Sequence, residues 1–271
     1  MVSLLHRAGD RDTVSWRRVA TVVAIIVAGA ALAIEVGIGV SVIGGAGDVG
    51  VDFRFYRDAA QRWLTEGAFY LPHQLAGPYT VTTLVDVLYP PNALFLFVPF
   101  IVLPAVLWWA IPIGVLIYVI GSWRPAAWAI PVMLVMLMWV RAFGAFLWGN
   151  TDMWMAASIA GGLRWGWPAA LVLIKPSILP FVLVGARRRS FWVVAVAFGV
   201  ASVVLLWSLW LDYVLVVRNM ASRPDYALGS VSLLLVPVVA WFARRRPNED
   251  PPAPGPSTPS SPPSPAPPTP R

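Results

Sequence analysis

A succession of long apolar stretches, broken by short polar ones, constrains this chain more than any other feature. They fall at 19–43, 89–103, 105–121, 126–140, 143–161, 166–184, 190–211 and 228–243. A helix crosses the hydrocarbon core of a bilayer with roughly 20 mostly apolar residues. Of the 271 residues, 58% are hydrophobic and 12% charged, against about 25% charged in a soluble domain. The expectation is an all-α polytopic membrane protein of about eight spans. The first stretch is too long for a cleaved signal peptide, and no small-residue cleavage site follows it.

Several function classes are excluded. The net charge is +7, but the arginines are divided among separate clusters and form no groove-binding helix, so nucleic acid is not an expected partner. There is no cysteine, which removes disulfides, thiolate zinc and iron–sulfur clusters. His6 and His73 are too few for a histidine-rich metal site, and neither metal nor cofactor is expected. Lys175 is the only lysine. The bias toward Arg, Ala, Val, Gly and Pro fits a GC-rich bacterial genome.

The arginines orient the chain. One cluster (Arg7, Arg11, Arg17, Arg18) precedes the first stretch, a second (187–189) follows the sixth, and a third (244–246) follows the eighth. With eight spans all three fall on the cytoplasmic side, as the positive-inside rule requires. The reading is a cytoplasmic segment 1–18, a membrane domain 19–246 and a cytoplasmic tail 247–271, in the inner membrane of a bacterium with both termini inside. The tail holds twelve of the 26 prolines and cannot bury a core. Residues 44–88 become a large extracytoplasmic loop, with 212–227 a second. Arg124, Arg164, Arg218 and Arg223 fall on or near that outer side, where they suit a phosphate or lipid headgroups.

The first part of the 44–88 loop reads as an interfacial amphipathic helix. Phe53, Tyr56, Ala60, Trp63 and Leu64 recur at helical spacing, and Gly67 suits a C-cap. Asp52 lies near its start, with Asp48 before it. Two readings of Asp52 stand together: an N-cap residue, and a general base held at the membrane surface. Asp58 is expected to pair with Arg54 or Arg62. His73 reads as an exposed loop histidine, an assisting acid–base role being the alternative. Three ionisable residues fall inside apolar stretches: Glu35, Asp152 and Lys175. Asp152 and Lys175 should lie at similar depth near the middle of spans five and six, so either a salt bridge joins them or Lys175 serves an anionic ligand.

These residues carry a resemblance. The run VDFRFYRDAAQRWLTEGAFY followed by YPPNALFLFVPFIVLP, then WGNTDMWMAASIAGG and WPAALVLIKPSILPFVLVGARRRSFW, is similar to the GT87 glycosyltransferases. These are GT-C-fold membrane enzymes that include polyprenyl-phosphate-mannose-dependent mannosyltransferases. The matching positions are Asp52, Tyr56, Ala59, Ala60, Gly67, Tyr70, Tyr89 to Pro91, Gly149, Asn150, Lys175, Pro176 and Arg187 to Arg189, within about residues 15–215.

The resemblance implies a GT-C-like fold and an inverting sugar transferase. Its donor would be a polyprenyl-phosphate sugar, most often mannose, and its acceptor an extracytoplasmic lipid or glycan. Asp52 would be the catalytic base; Tyr56, Arg54, Arg57, Tyr89, Asn150 and Lys175 would bind substrate. Membrane lipids are the other partners. Members of that family are generally longer, with more spans. The alternatives are a degenerate family member that only binds lipid-linked sugar, or a lipid-linked-sugar flippase or small transporter using Glu35, Asp152 and Lys175 as a midplane path.

Overall fold

The structure is a computed structural model describing residues 2–45, 47, 49–81, 85–221 and 229–245, with the backbone alone for 2–15, 43 and 44. Asp48, Arg223, Arg246 and the tail 247–271 therefore lie outside the described residues. Those residues are mainly helical, and their extended contacts are isolated bridges such as Tyr79 with Met220 and Pro125 with Arg244.

Two helices are long and apolar enough to cross a membrane, within α1 (Val2–Gly45) over Trp16–Val42 and in α5 (Val106–Trp123). Two bent pairs raise the number to four if each counts as one span. These are α6 (Ala129–Leu137) with α7 (Val140–Trp148), bent by 65°, and α9 (Arg189–Leu205) with α10 (Trp207–Asn219), bent by 93°. The remaining helices are α2 (Val51–Glu66), α3 (Pro72–Ala76), α4 (Leu94–Phe97), α8 (Asp152–Trp165) and α11 (Val231–Phe242).

The apolar stretches thus do not map one-to-one onto straight helices, and proline and glycine account for most of the differences. The stretch 89–103 is a short 3-10 turn (Pro91–Ala93), then α4, then another 3-10 turn (Val98–Ile101). Pro90, Pro91, Pro99 and Pro104 remove N–H donors and crowd the preceding turn. The stretch 143–161 is divided at Gly149, which has φ +74°, so Asp152 opens α8 instead of lying mid-span.

The stretch 166–184 departs most from expectation. It consists of two 3-10 segments, Trp167–Ile174 and Pro176–Val184, meeting at Lys175, whose φ of −129° breaks the helix. The chain then folds back on itself. A Cβ on Gly185 would lie 2.6 Å from the carbonyl oxygen of Gly166, and one on Gly162 would touch both Ala169 and Val184. Residues 167–184 are therefore a hairpin that enters and leaves at the same place, with Lys175 at its apex. A lysine expected midway along a span is the tip of a returning segment.

The helices define two ends. At one, the start of α5 meets the α7–α8 junction: Trp108 Nε1 donates to the Gly149 carbonyl (2.7 Å) and Trp109 Nε1 to that of Phe146 (2.9 Å). There Gly50 N–H bonds the Leu147 carbonyl at 2.9 Å, which docks α2. At the other end, Arg164 Nη1 donates to Ser122 Oγ (2.6 Å), Ser190 Oγ donates to the Trp165 carbonyl (2.9 Å), and Ala126 N–H to that of Ala243 (2.8 Å). Arg188 packs on Gly166, and Arg244 lies over the Trp241 ring at 3.9 Å. Arg124 and Arg164, expected beside the outer loop, instead join Arg188 and Arg244 at the end opposite Asp52. The stretch 89–103 explains the difference: built of short turns around α4 it does not run from one end to the other, so α5 begins at the Asp52 end and carries the chain to Arg124 at the opposite one.

An aromatic cluster of Phe53, Tyr56, Phe97, Phe100, Trp108 and Trp154 fills the space beneath α2. Its ring centroids are spaced at 4.7 to 6.4 Å, with several edge-on. Such pairs add about 0.5–1.5 kcal/mol each beyond area burial.

Candidate functional site

The helix expected in the first part of the 44–88 loop is present as α2. Its apolar face buries Phe53, Tyr56, Ala59 and Ala60, while Leu64, placed on that face by spacing, is exposed. Gly67 is the C-cap, with φ +74° and its N–H on the Trp63 carbonyl. The N-cap is Gly50, which corrects the N-cap reading of Asp52. That residue lies within the first turn, where a carboxylate still complements the helix dipole. Asp58 lies 3.8 Å from Arg57 Nε rather than against Arg54 or Arg62. Arg62 instead donates to the carbonyls of Ala68 and Phe69, and Arg54 to those of Val49 and Gly47.

Asp52 is one end of a polar network assembled from four segments. Asn150 Nδ2 donates to Asp52 Oδ2 at 2.6 Å. The other end of that amide, Oδ1, accepts Asp152 N–H at 3.2 Å and Lys175 Nζ at 3.4 Å. Lys175 forms the expected salt bridge with Asp152, and the two side chains are 11% and 3% exposed. A chain of hydroxyls runs alongside: Tyr56 OH to Tyr89 OH at 3.2 Å, then Tyr89 OH to Thr151 Oγ1 at 2.7 Å. Tyr70 OH donates to the Tyr89 carbonyl at 2.9 Å, fixing that residue's backbone.

Each side chain is placed by a local device. Pro90 and Pro91 stop the chain after Tyr89 and start the 3-10 turn. Gly149 makes the left-handed turn into α8, where a Cβ would lie 2.8 Å from Trp109 and 3.0 Å from Phe53. The break before Pro176 turns Lys175 inward. Because Oδ1 of Asn150 takes only donors, its Nδ2 must face Asp52. Burial pushes the Asp52 carboxyl above its usual range; the Asn150 hydrogen bond and the Lys175 charge pull it back, while Asp152 adds a smaller upward push.

Five of the seven site residues expected from sequence therefore meet: Asp52, Tyr56, Tyr89, Asn150 and Lys175. Arg54 and Arg57 do not join them. Arg54 clamps the loop before α2, and Arg57 is exposed beside Asp58. Thr151 and Asp152 belong to the network, and Thr151 had no sequence signal beyond its neighbours. His73 is only half exposed, and its Nε2 lies 2.7 Å from Oδ1 of the buried Asp86. Glu35 lies on α1, partly exposed.

The arrangement offers one half-buried carboxylate with one oxygen held and the other available, and one buried cation behind it. Among the described residues, no group of three or more His, Cys, Asp or Glu could hold a metal ion. Comparison with protein-family models, curated proteins and solved structures returns no match.

Proposed function

We propose that this chain is an integral membrane sugar transferase. It moves a sugar, mannose by resemblance, from a polyprenyl-phosphate carrier to an extracytoplasmic lipid or glycan hydroxyl. The observation supporting this is the hydrogen bond from Asn150 to Asp52. It occupies Oδ2 and orients the carboxylate, while burial raises its proton affinity. A general base needs both properties.

In the proposed step Asp52 takes the proton of the acceptor hydroxyl. The acceptor oxygen forms the new bond to the anomeric carbon as the bond to the phosphate oxygen breaks, inverting that centre. The bonding pair leaves with polyprenyl phosphate. Lys175 is the cation nearest the carboxylate and complements the negative charge that accumulates on the leaving oxygen. Tyr56 and Tyr89 wall the site.

Sidedness belongs to the same proposal. The arginine-rich end is cytoplasmic by the positive-inside rule, and the Asp52 end faces outward. α1, α5, the α6–α7 pair, α8, α9 and α11 then run between the two faces in a GT-C-like arrangement, and 167–184 re-enters from the cytoplasmic side.

The test is sugar transfer from labelled polyprenyl-phosphate mannose in membranes stripped of other such activities. Transfer by the wild type that is lost in Asp52→Asn at equal protein level supports the reading. Transfer undiminished in that variant overturns the role of Asp52.

A further inference from the structure

An apolar cavity of about 430 Å³ lies between α5, α8, the first arm of the hairpin and α9. Ile111, Val115, Ala157, Trp165, Pro168 and Phe198 line it, and it extends along α8 from Trp154 to Trp165. Eleven residues of helix make that path roughly 16 Å long. The volume falls within the range of small-molecule sites, roughly 300–1,000 Å³, but those sites carry a few converging polar groups. Here the lining is almost wholly hydrocarbon. A long, narrow, apolar cavity suits one hydrocarbon chain and little else.

The arginine-rich end supplies the other half of a ligand. Trp165 ends the cavity, and the Arg164 guanidinium lies 5.4 Å from its ring and 5.6 Å from that of Tyr118. Arg164 Nη1 is held by Ser122 Oγ, but its Nε is buried without a hydrogen-bond partner. Arg188 packs on Gly166, immediately after Trp165. An anionic phosphate beside Trp165 would meet the guanidinium charge of Arg164 and Arg188.

We infer that this cavity is a binding site for a membrane glycerophospholipid with an anionic headgroup. One acyl chain lies along α8, and the phosphate is held by Arg164 beside Trp165. The site is at the opposite end from Asp52 and is independent of the transferase reading. It requires only that the helices lie in a bilayer. The ligand would fasten the hairpin arm to α5 and α9, so it is structural rather than a substrate.

The experiment uses the full chain in vesicles of phosphatidylglycerol or phosphatidylcholine, each doped with the same lipid bearing a diazirine on one acyl chain. After illumination, labelled positions are mapped by peptide mass spectrometry. With phosphatidylglycerol, label is expected to concentrate on α8 and residues 167–171. Val115→Trp, which fills the cavity, should lower that label about tenfold without changing label on α1. Arg164→Gln should remove the preference for phosphatidylglycerol over phosphatidylcholine. Thermal unfolding in detergent checks that each variant is folded; Ala157→Val is a milder filling variant if Val115→Trp is not. Label spread evenly over the lipid-facing surface, or label unchanged by either filling variant, overturns the site. Equal labelling by both lipids in the wild type overturns the role of Arg164.

Discussion

The Asn150 amide donates to the Asp52 carboxylate over 2.6 Å, although the two residues are 98 positions apart in sequence. One belongs to the turn between α7 and α8, the other to the first turn of α2. The same amide accepts Lys175 from the hairpin apex, so one side chain joins three distant segments. If Asp52 is the base, Asp52→Asn should lower transfer by at least about a hundredfold, the usual range for general-base catalysis. Fold should survive, because asparagine can still accept from Asn150. Radiolabel transfer and thermal unfolding of the same preparations separate the two effects.

Burial raises the Asp52 carboxyl above its ordinary range, and the sign of the consequence is fixed. A folded carboxyl with a raised pKa favours the neutral form, so ionising it costs stability once pH exceeds the unfolded value of about 3.9. Asp52→Asn should therefore unfold at a temperature equal to or higher than the wild type at neutral pH. That margin should shrink as the pH is lowered toward that value. In the same experiments the acid limb of the transfer profile should lie above the range of an ordinary aspartate.

Asn150→Ala removes the donor to Asp52 and the acceptor for Lys175. A hydrogen bond to a charged group is worth about 1.5–3 kcal/mol, so roughly tenfold or more of kcat should be lost, with the donor KM little changed. The infrared carboxyl band of Asp52, assigned by difference from Asp52→Asn, should titrate at a higher pH in this variant. A fall in kcat with an unmoved titration would assign Asn150 to the substrate instead.

The buried pair gives a different pattern. Lys175→Met alone leaves Asp152 uncompensated and should cost about 3–5 kcal/mol, while adding Asp152→Leu should recover most of it. Denaturation in detergent measures both. Two glycines offer a parallel contrast. Gly149→Ala meets a positive φ and Trp109 at 2.8 Å, whereas Gly67→Ala meets the same φ with nothing within 4 Å. The first should destabilise by about 1–3 kcal/mol more than the second.

Sidedness can be read directly, since the chain has no cysteine. Single cysteines at Arg124 and Ala186 should be labelled from one side of sealed vesicles, and one at Glu66 from the other. Labelling of the Arg124 position together with Glu66 would contradict the two-ended arrangement.

Much of this was legible in the sequence. Periodicity gave α2 and its Gly67 cap, and the apolar runs gave α1 and α5. Family resemblance gathered five residues that the structure does bring into one network. The hairpin at 167–184 was not legible from hydropathy, because an apolar run has the same composition whether it crosses or returns. Its signals were the Lys175–Pro176 break at its centre and the arginines at both ends, Arg164 and Arg187 to Arg189. Charge on both flanks favours a return to the same side. Arg54 has the right sequence position for phosphate, but the carbonyls of Val49 and Gly47 lie within its reach, and hydrogen-bond partners five and seven residues away cannot be read from composition.

The hairpin makes the reach of Lys175 depend on the separation of two surfaces. Its root lies among the arginines and tryptophans of one end, while its apex reaches Asp52, on α2 at the other end, through Asn150. Helices tilt, and bilayers thin or thicken, when hydrophobic lengths do not match. If the two ends lie at the two faces of a bilayer, as proposed, lipid chain length becomes a control on the distance between Lys175 and Asp52. A bilayer too thick would draw the apex away from Asp52, and one too thin would press it closer.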